Sequence, residues 1–285
     1  MKTETLSYTS SDKKTGLNAH LYLPDDAAKG IVQIITGTED APARYDPLTA
    51  YLAEHGYACA VQELSCDYLA DAEAPDRLLM EDTKLLRDSI REKYPELPHF
   101  CTGFGEGSYL LRAFLAQYGD GFHGAVLAGT GYVSPGIGSM RIYGKKVRSL
   151  FRGTSARKQE AGDRALMQLA ATACSESHFD KLPKNLSVLL VSGAEDPAGD
   201  RGAGVRRVQE RMLQAGMPDI TCKLYPDVAG DLLDAGIRDT FLSDLCAFLD
   251  ARPDKAFSSS YASNRSYMEK KVAEQKDYEI DQILI

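Results

Sequence analysis

The chain has 285 residues, of which 44% are hydrophobic and 26% charged, and its formal net charge is -8 at pH 7. This is the composition of a globular protein with enough apolar residues for a sizeable core. The acidic balance argues against nucleic acid as a general partner, because phosphate contacts need clustered Lys and Arg. The polar N-terminus lacks a signal-peptide pattern, and no apolar run approaches the roughly 18 residues of a membrane span.

Short apolar runs predict buried strands, and most of them are too dense in apolar residues to alternate. They lie at 30–36, 57–64, 99–104, 124–130, 187–193 and 220–226. Helical patterns between them cover 47–56, 76–95, 108–119, 204–217 and 238–252. This alternation predicts an α/β fold with a mostly parallel sheet and helices on both faces. The N-terminal segment 3–24 is interpreted as a hairpin at one edge.

Residues 134–180 interrupt the alternation and are predicted to form a cap insertion over the carboxyl ends of the strands. Within them, the stretch 140–159 carries seven basic residues and no acidic one; Lys145, Lys146, Arg148 and Arg152 are among them. We expect one domain over 1–252. The tail over 253–285 is Ser-rich and then charged, which predicts partial disorder or one short helix.

Six scattered cysteines form no Cys-x-x-Cys pair, and several of them fall in predicted buried elements. This pattern predicts reduced thiols and a cytoplasmic location. Nothing in the sequence indicates a metal site or a cofactor.

The stretch 100–119 reads FCTGFGEGSYLLRAFLAQYG, which is a strand, a glycine-rich turn and an amphipathic helix. In α/β-hydrolases such a turn has the pattern Gly-x-Ser-x-Gly and presents the serine nucleophile. Here the outer glycines are Gly103 and Gly107, and the central residue is Gly105. The turn pattern is therefore present without its nucleophile.

Over about residues 5–250 the chain resembles the monoacylglycerol lipase and lysophospholipase branch of the α/β-hydrolases, the serine aminopeptidase S33 group. The resemblance depends on segments that occur in the family's order: GIVQIITGTEDAPARY, YLAEHGYACAVQEL, LPHFCTGFGEGSYLLRAF, GAVLAGTG, LLVSGAEDPAGDRGAGVRRVQERMLQAGMPDITCKLYPD and LLDAGIRDTFLSDLCAFL. It implies an α/β-hydrolase fold and, in an active member, a Ser-His-Asp triad.

Carried over residue by residue, the resemblance implies a vestigial triad. The serine position is Gly105, the acid position is Asp196, and the histidine position is about Gly230. No histidine follows His178, so a shifted alignment does not supply one. Loss of the serine or the histidine alone costs such an enzyme about a million-fold in turnover.

Two further segments of the family's active-site rim are changed. The His-Gly pair after the third strand is Thr36-Gly37, and the Asp-x-Arg-Gly-His-Gly segment is ELSCDY at 63–68. The sequence therefore predicts a catalytically inactive relative of monoacylglycerol lipase and lysophospholipase that binds a ligand or a partner. The alternative is an active ester or lipid hydrolase of the serine or cysteine type with a relocated nucleophile.

The alternative needs a nucleophile and a base near the elbow. Ser108 in the first helical turn, and Cys101 and Thr102 at the end of the strand, are the nearest nucleophile candidates. A cysteine would also need a base or a positive field. Among the histidines, His178 in the insertion is the candidate base. The other four histidines are candidates in name only. His55 fits the end of a helix, and His99 and His123 precede strands, away from the strand ends where such sites lie. His20 lies in the predicted N-terminal hairpin.

The turn also places backbone amides at a helix N-terminus, which favours anions. The resemblance implies that the amides of Thr38 and Glu106 form an oxyanion hole. We therefore expect a small acyl or anionic ligand there, or else a protein partner elsewhere. The Glu106 side chain is interpreted as a solvated acid of the first turn. The basic run is interpreted as a solvated helical face, with an acidic partner or phospholipid headgroups as the functional alternative.

Overall fold

The structure is a computed structural model that describes residues 1–38, 40–64, 68–132, 156–197, 199–234 and 236–252, with 156–160 described by their backbone alone. Eight strands form one sheet. They are β1 Lys2–Thr9, β2 Gly16–Leu23, β3 Gly30–Ile35, β4 Tyr57–Gln62, β5 His99–Phe104, β6 Gly124–Ala128, β7 Val188–Gly193 and β8 Ile220–Tyr225.

The strand order in the sheet is β1-β2-β4-β3-β5-β6-β7-β8. β2 pairs antiparallel with both β1 and β4, and every pairing from β4 to β8 is parallel. The predicted mostly parallel sheet is confirmed, as is the N-terminal hairpin at one edge. The parallel strands place the loops after β3, β5, β6, β7 and β8 at one end of the sheet, where ligand sites of open α/β sheets lie.

Seven α-helices belong to the described part of the chain. They are α1 Asp46–Glu54, α2 Pro75–Lys93, α3 Glu106–Tyr118, α4 Ala156–Ala173, α5 Glu176–Phe179, α6 Ala203–Gln214 and α7 Arg238–Asp250. α1 and α7 cover one face of the sheet through apolar side chains such as Leu48, Leu52 and Phe241. α2, α3, α4 and α6 cover the other face. Strands β3 to β7 are buried along their whole length, which explains their continuous apolar runs.

The second half of the predicted insertion consists of α4 and α5. α4 packs against α2 and α3 and buries Ala161, Ala165 and Leu169 in the core. This part of the insertion is therefore an integral layer on the α2 face. Its first half, with the basic residues Lys145, Lys146, Arg148 and Arg152, lies outside the described residues, as does the tail 253–285. None of the described helices is long and apolar enough to cross a membrane.

Candidate active site

The turn between β5 and α3 has the backbone of a nucleophile elbow. Gly105 has φ 49° and ψ -111°, a conformation that glycine adopts without the cost of a side chain. Its amide donates to the Ala128 carbonyl oxygen at 2.9 Å, and its own carbonyl oxygen accepts from the Ser108 amide at 3.1 Å. The turn therefore ties the end of β5 to the end of β6 and begins α3.

The two outer glycines of the elbow, Gly103 and Gly107, are required for steric reasons. A Cβ atom on Gly107 would lie 2.2 Å from the Ile35 carbonyl oxygen of β3, and one on Gly103 would lie 2.5 Å from the Gly107 carbonyl oxygen. No atom lies within 4 Å of a Cβ placed on Gly105, whose residue is exposed. The outer positions exclude side chains, whereas the central position has open space for one.

Asp196 lies beside the elbow, in the loop after β7. A Cβ atom placed on Gly129 would lie 3.8 Å from the Gly105 Cα and 3.9 Å from the Asp196 Oδ2. The Asp196 carbonyl oxygen accepts from the Arg201 amide at 2.8 Å, which fixes the loop that carries the carboxylate. The structure thus brings the predicted serine and acid positions together around Gly129.

Gly230 lies in the exposed loop between β8 and α7. This loop contacts the Asp196 segment, since the Glu195 amide donates to the Val228 carbonyl oxygen at 2.9 Å. A Cβ atom on Gly230 would have one neighbour within 4 Å, the Asp234 Oδ2 at 3.3 Å. Gly230 is not one of the glycines with positive φ in the described residues. The histidine position therefore has room for a side chain.

Two acidic residues that the sequence analysis did not single out connect the loops. The Asp40 carboxylate accepts from the Gly37 amide at 3.0 Å, from the Tyr45 hydroxyl at 2.8 Å and from the Arg44 guanidinium at 3.1 Å. Arg44 also forms an ion pair with Asp231, next to Gly230. Burial and the nearby Asp40 raise the pKa of Tyr45.

A small pocket adjoins the elbow on the α2 face. Its volume is about 10 Å³, and its lining consists of Thr36, Gly37, Thr38, Glu106, Leu79, Leu110, Leu166 and Leu169. That volume corresponds to about one water molecule. Glu106 is half-buried, and its Oε2 lies 3.4 Å from the position of a Gly37 Cβ. Its side chain thus lines the pocket and is not the solvated first-turn acid that the sequence suggested.

All five histidines of the chain lie in the described residues, and each has a role away from the elbow. His20 on β2 approaches Glu63 at 3.5 Å, His55 Nδ1 contacts the Tyr51 carbonyl oxygen at 2.8 Å, and His123 Nδ1 accepts from the His99 amide at 3.2 Å. His178 Nε2 contacts the Arg112 carbonyl oxygen at 2.8 Å beneath α3. The structure brings none of these rings to Gly105.

The three nucleophile candidates Cys101, Thr102 and Ser108 are all buried in the core. Burial raises the pKa of the Cys101 thiol well above its usual value, and its Sγ lies 3.8 Å from the Gly124 carbonyl oxygen. Ser108 is fully buried, and its hydroxyl donates to the Gly105 carbonyl oxygen at 2.6 Å. The Thr102 hydroxyl is buried without a hydrogen-bond partner among the described atoms. No group of three or more His, Cys, Asp or Glu side chains that could hold a metal ion occurs in the same residues.

The buried histidines predict a pH-dependent stability. Burial lowers the pKa values of His99, His123 and His178. The unfolded chain therefore binds protons near pH 6.5 that the folded chain does not, so the free energy of unfolding falls as pH falls through that range. Each such histidine contributes at most about 1.4 kcal/mol per pH unit.

We expect the largest contribution from His99, because it is 3% exposed and neither ring nitrogen has a hydrogen-bond partner in the described chain. Urea unfolding at about pH 5.5 and pH 7.5 should show a weaker pH dependence for His99→Leu than for the wild type. His55→Leu at the exposed end of α1 is the control and should keep the wild-type slope. An unchanged slope in His99→Leu would contradict the assignment.

This arrangement of sheet, elbow and acid loop defines the α/β-hydrolase fold. Residues 26–161 match the family model described as "Serine aminopeptidase, S33". The chain therefore has the α/β-hydrolase fold and resembles the serine aminopeptidase S33 family over this segment, as the sequence motifs predicted. A search of curated proteins found no significant match.

Solved structures share this fold at low sequence identity. A carboxyl esterase from Bacillus coagulans is 20% identical with a TM-score of 0.72, over 89% of this chain and 99% of that one. A structure described as a lipase in its open form is 19% identical with a TM-score of 0.74, over 89% and 100%. A monoglyceride lipase from Saccharomyces cerevisiae is 13% identical with a TM-score of 0.67, over 88% and 96%.

Proposed function

We propose that the chain is a catalytically inactive α/β-hydrolase whose role is to bind a small ligand or a partner. The observation that carries the proposal is an elbow with glycine at its centre and no histidine among the five that reaches it. Asp196 remains beside the elbow, but an acid has no triad role without a histidine to orient. Serine-type ester hydrolysis has no efficient route through these residues.

A relocated nucleophile is less well supported. Cys101 has a raised pKa and full burial, which disfavour the thiolate that would attack an ester. The Ser108 hydroxyl already donates to the Gly105 carbonyl oxygen, and no histidine accepts its proton. His178 contacts the backbone of α3 at Arg112, a full two turns beyond the elbow.

The pocket beside the elbow is the candidate ligand site, with the amides of Thr38 and Glu106 as the former oxyanion hole. Four leucines supply an apolar wall, and because the pocket holds only about one water molecule, these side chains would have to move apart to admit a short acyl group. Carboxylate oxygens of Asp40 and Glu106 lie 3.0 Å and 3.4 Å from the position of a Gly37 Cβ. Arg44 pairs with Asp40, but the Glu106 carboxylate at the same point disfavours an anionic ligand, so we favour a small uncharged acyl ligand over a fatty-acid carboxylate.

The location that accords with these features is the cytoplasm. The five cysteines that the structure describes are all free thiols. Four of them are buried, namely Cys59, Cys101, Cys174 and Cys246. Unpaired thiols are typical of a reducing compartment. A protein partner at the surface is the alternative role if no small ligand binds.

We expect no hydrolysis of p-nitrophenyl esters or monoacylglycerols above the buffer rate, and no labelling by a fluorophosphonate probe. The reason is the missing serine and base, whose loss in a triad enzyme costs about a million-fold. A monoglyceride lipase assayed in parallel is the positive control. Hydrolysis that a Cys101→Ala, Ser108→Ala or His178→Ala variant abolishes would contradict the proposal and identify a relocated site.

Ligand binding is tested separately by thermal shift. Short-chain monoacylglycerols should raise the melting temperature more than fatty acids of the same length do. The effect should be lost in Leu110→Phe, which fills the pocket from α3. If fatty acids stabilise more strongly, the site prefers anions despite its two acids. If neither stabilises, the partner role replaces the ligand role.

A further inference from the structure

A second buried polar site lies on the α2 face of the sheet, away from the elbow. Five buried side-chain atoms in this region have no hydrogen bond of normal geometry within the described protein, although Tyr68 interacts with Asp82 and Tyr8 interacts with Gln62. They are Tyr8 Oη, Gln33 Oε1, Gln62 Oε1, Gln62 Nε2 and Tyr68 Oη. Buried polar groups are paired in the large majority of cases, so five such atoms in one region require an explanation.

The strand register places three of these side chains on one face. Tyr8 pairs with Leu17, and Gln62 pairs with Ala19, two residues further along β2. Gln33 pairs with Ala60, two residues before Gln62 on β4. Side chains two residues apart on a strand share a face, so Tyr8, Gln33 and Gln62 point to the same side of the sheet.

α2 covers that side and contributes a carboxylate. The Gln33 Nε2 donates to the Thr83 carbonyl oxygen at 3.2 Å, which fixes α2 over the strands. The neighbouring Asp82 is 0% exposed. It accepts from the Ser10 hydroxyl at 2.9 Å and 3.1 Å and from the Ser11 amide at 2.7 Å. No basic side chain in the described part of the chain pairs with it.

The two tyrosines respond to this carboxylate. Burial raises the pKa of Tyr68 and of Tyr8, and the nearby Asp82 raises both further. The carboxylate thus lies close to both phenol groups. We call Tyr8, Gln33, Gln62, Tyr68 and Asp82 the Asp82 cluster.

We propose that the Asp82 cluster binds a monovalent alkali cation. The Asp82 carboxylate is fully buried and the described donors to it are neutral groups, so a cation beside it would compensate its charge. The cluster offers a carboxylate, two amide oxygens and two phenol oxygens, the hard oxygen ligands that such ions take. With one carboxylate, the ligand set carries a single negative charge. This matches Na⁺ or K⁺ better than a divalent ion, which gathers more carboxylates or keeps several waters.

The cluster is distinct from the hydrolase site but touches its pocket. The Thr36 hydroxyl donates to the Gln62 carbonyl oxygen at 3.2 Å, and the Thr83 hydroxyl donates to the Leu79 carbonyl oxygen at 2.7 Å. Thr36 and Leu79 both line the pocket. The Asp82 cluster therefore adjoins the wall of the pocket without lining it.

The test is thermal unfolding of the full chain in about 150 mM NaCl, KCl or N-methylglucamine chloride, so that ionic strength is constant. We expect at least one alkali salt to raise the melting temperature by about 3 °C or more over the bulky cation, with saturation. Asp82→Asn should lose this difference. Asp88→Asn on the same helix, where the carboxylate pairs with Lys84 and Arg87 at the surface, should keep it.

A second variant and a second measurement guard against misfolding of Asp82→Asn. Gln62→Met keeps the carboxylate but removes an amide oxygen, and it should raise the cation concentration for half effect about tenfold. Crystals of the wild type soaked in Tl⁺ should show an anomalous peak within coordination distance of Asp82. Equal melting temperatures in all three chlorides, or the absence of the peak, would overturn the proposal and leave water as the occupant.

Discussion

Replacement of Gly107 by alanine should destabilise the protein by at least about 3 kcal/mol or prevent folding. The added Cβ would lie 2.2 Å from the Ile35 carbonyl oxygen and 3.0 Å from the Thr36 carbonyl carbon. Both neighbours are backbone atoms at the end of a central strand, so no side chain can rotate away. α3 would have to move off the sheet, and urea unfolding followed by circular dichroism measures the cost.

Gly105→Ala is the matched control within the same turn. Its side chain meets open space, and only the unusual backbone conformation opposes it, at a cost of about 1–3 kcal/mol. Gly103→Ala should resemble Gly107→Ala, because its Cβ would lie 2.5 Å from the Gly107 carbonyl oxygen. Equal stability losses in all three variants would contradict the assignment, because of the three positions only Gly103 and Gly107 have backbone atoms within 3 Å of the added Cβ.

The double variant Gly105→Ser/Gly230→His should gain esterase activity that neither single variant has. A serine at position 105 would have open space and the backbone of an elbow, but it needs a base. A histidine at position 230 lies in the loop tied to the Asp196 segment, and a general base contributes about 10²–10⁴-fold. We expect p-nitrophenyl acetate hydrolysis at least about a hundredfold above either single variant.

Adding Asp196→Asn to the double variant should remove most of the gain, because Asp196 would orient the new histidine. A further Glu106→Ala change tests whether that carboxylate obstructs the pocket. Activity in Gly105→Ser alone would reveal an unrecognised base. A folded but inactive set of variants, with and without Glu106→Ala, would show that the loop does not present position 230 to the elbow.

The fold could be predicted from the sequence because the patterns that indicate strands and helices are local and recur along the chain. The predicted strand at 99–104 has the same bounds in the structure, and β3, β4, β6, β7 and β8 each start within one residue of their predictions. Continuous apolar runs occur where a parallel sheet is covered on both faces, and glycines end several of the helices. Position 105 could be identified for the same reason, since the turn pattern is contiguous.

The contacts around the elbow could not be predicted from the sequence, because they join residues that are far apart in the chain. Arg44 and Asp231 are separated by 187 residues, and neither belongs to a motif that names the other. The orientation of Glu106 toward Gly37 depends on how α3 meets β3, which a helical pattern does not encode. The Asp82 cluster depends on strand register, so its members look like ordinary surface-facing polar residues in the sequence.

The close contact between α3 and β3 has a consequence for how such a protein changes over generations. Once the serine is gone, residues that served only the reaction are free to drift. Gly107 is not free to change, because the Ile35 backbone leaves no room for a side chain, whether or not the site cleaves a substrate. The outer glycines of the elbow therefore have a structural role that is independent of catalysis, and a motif search that gives them weight also selects chains without the serine.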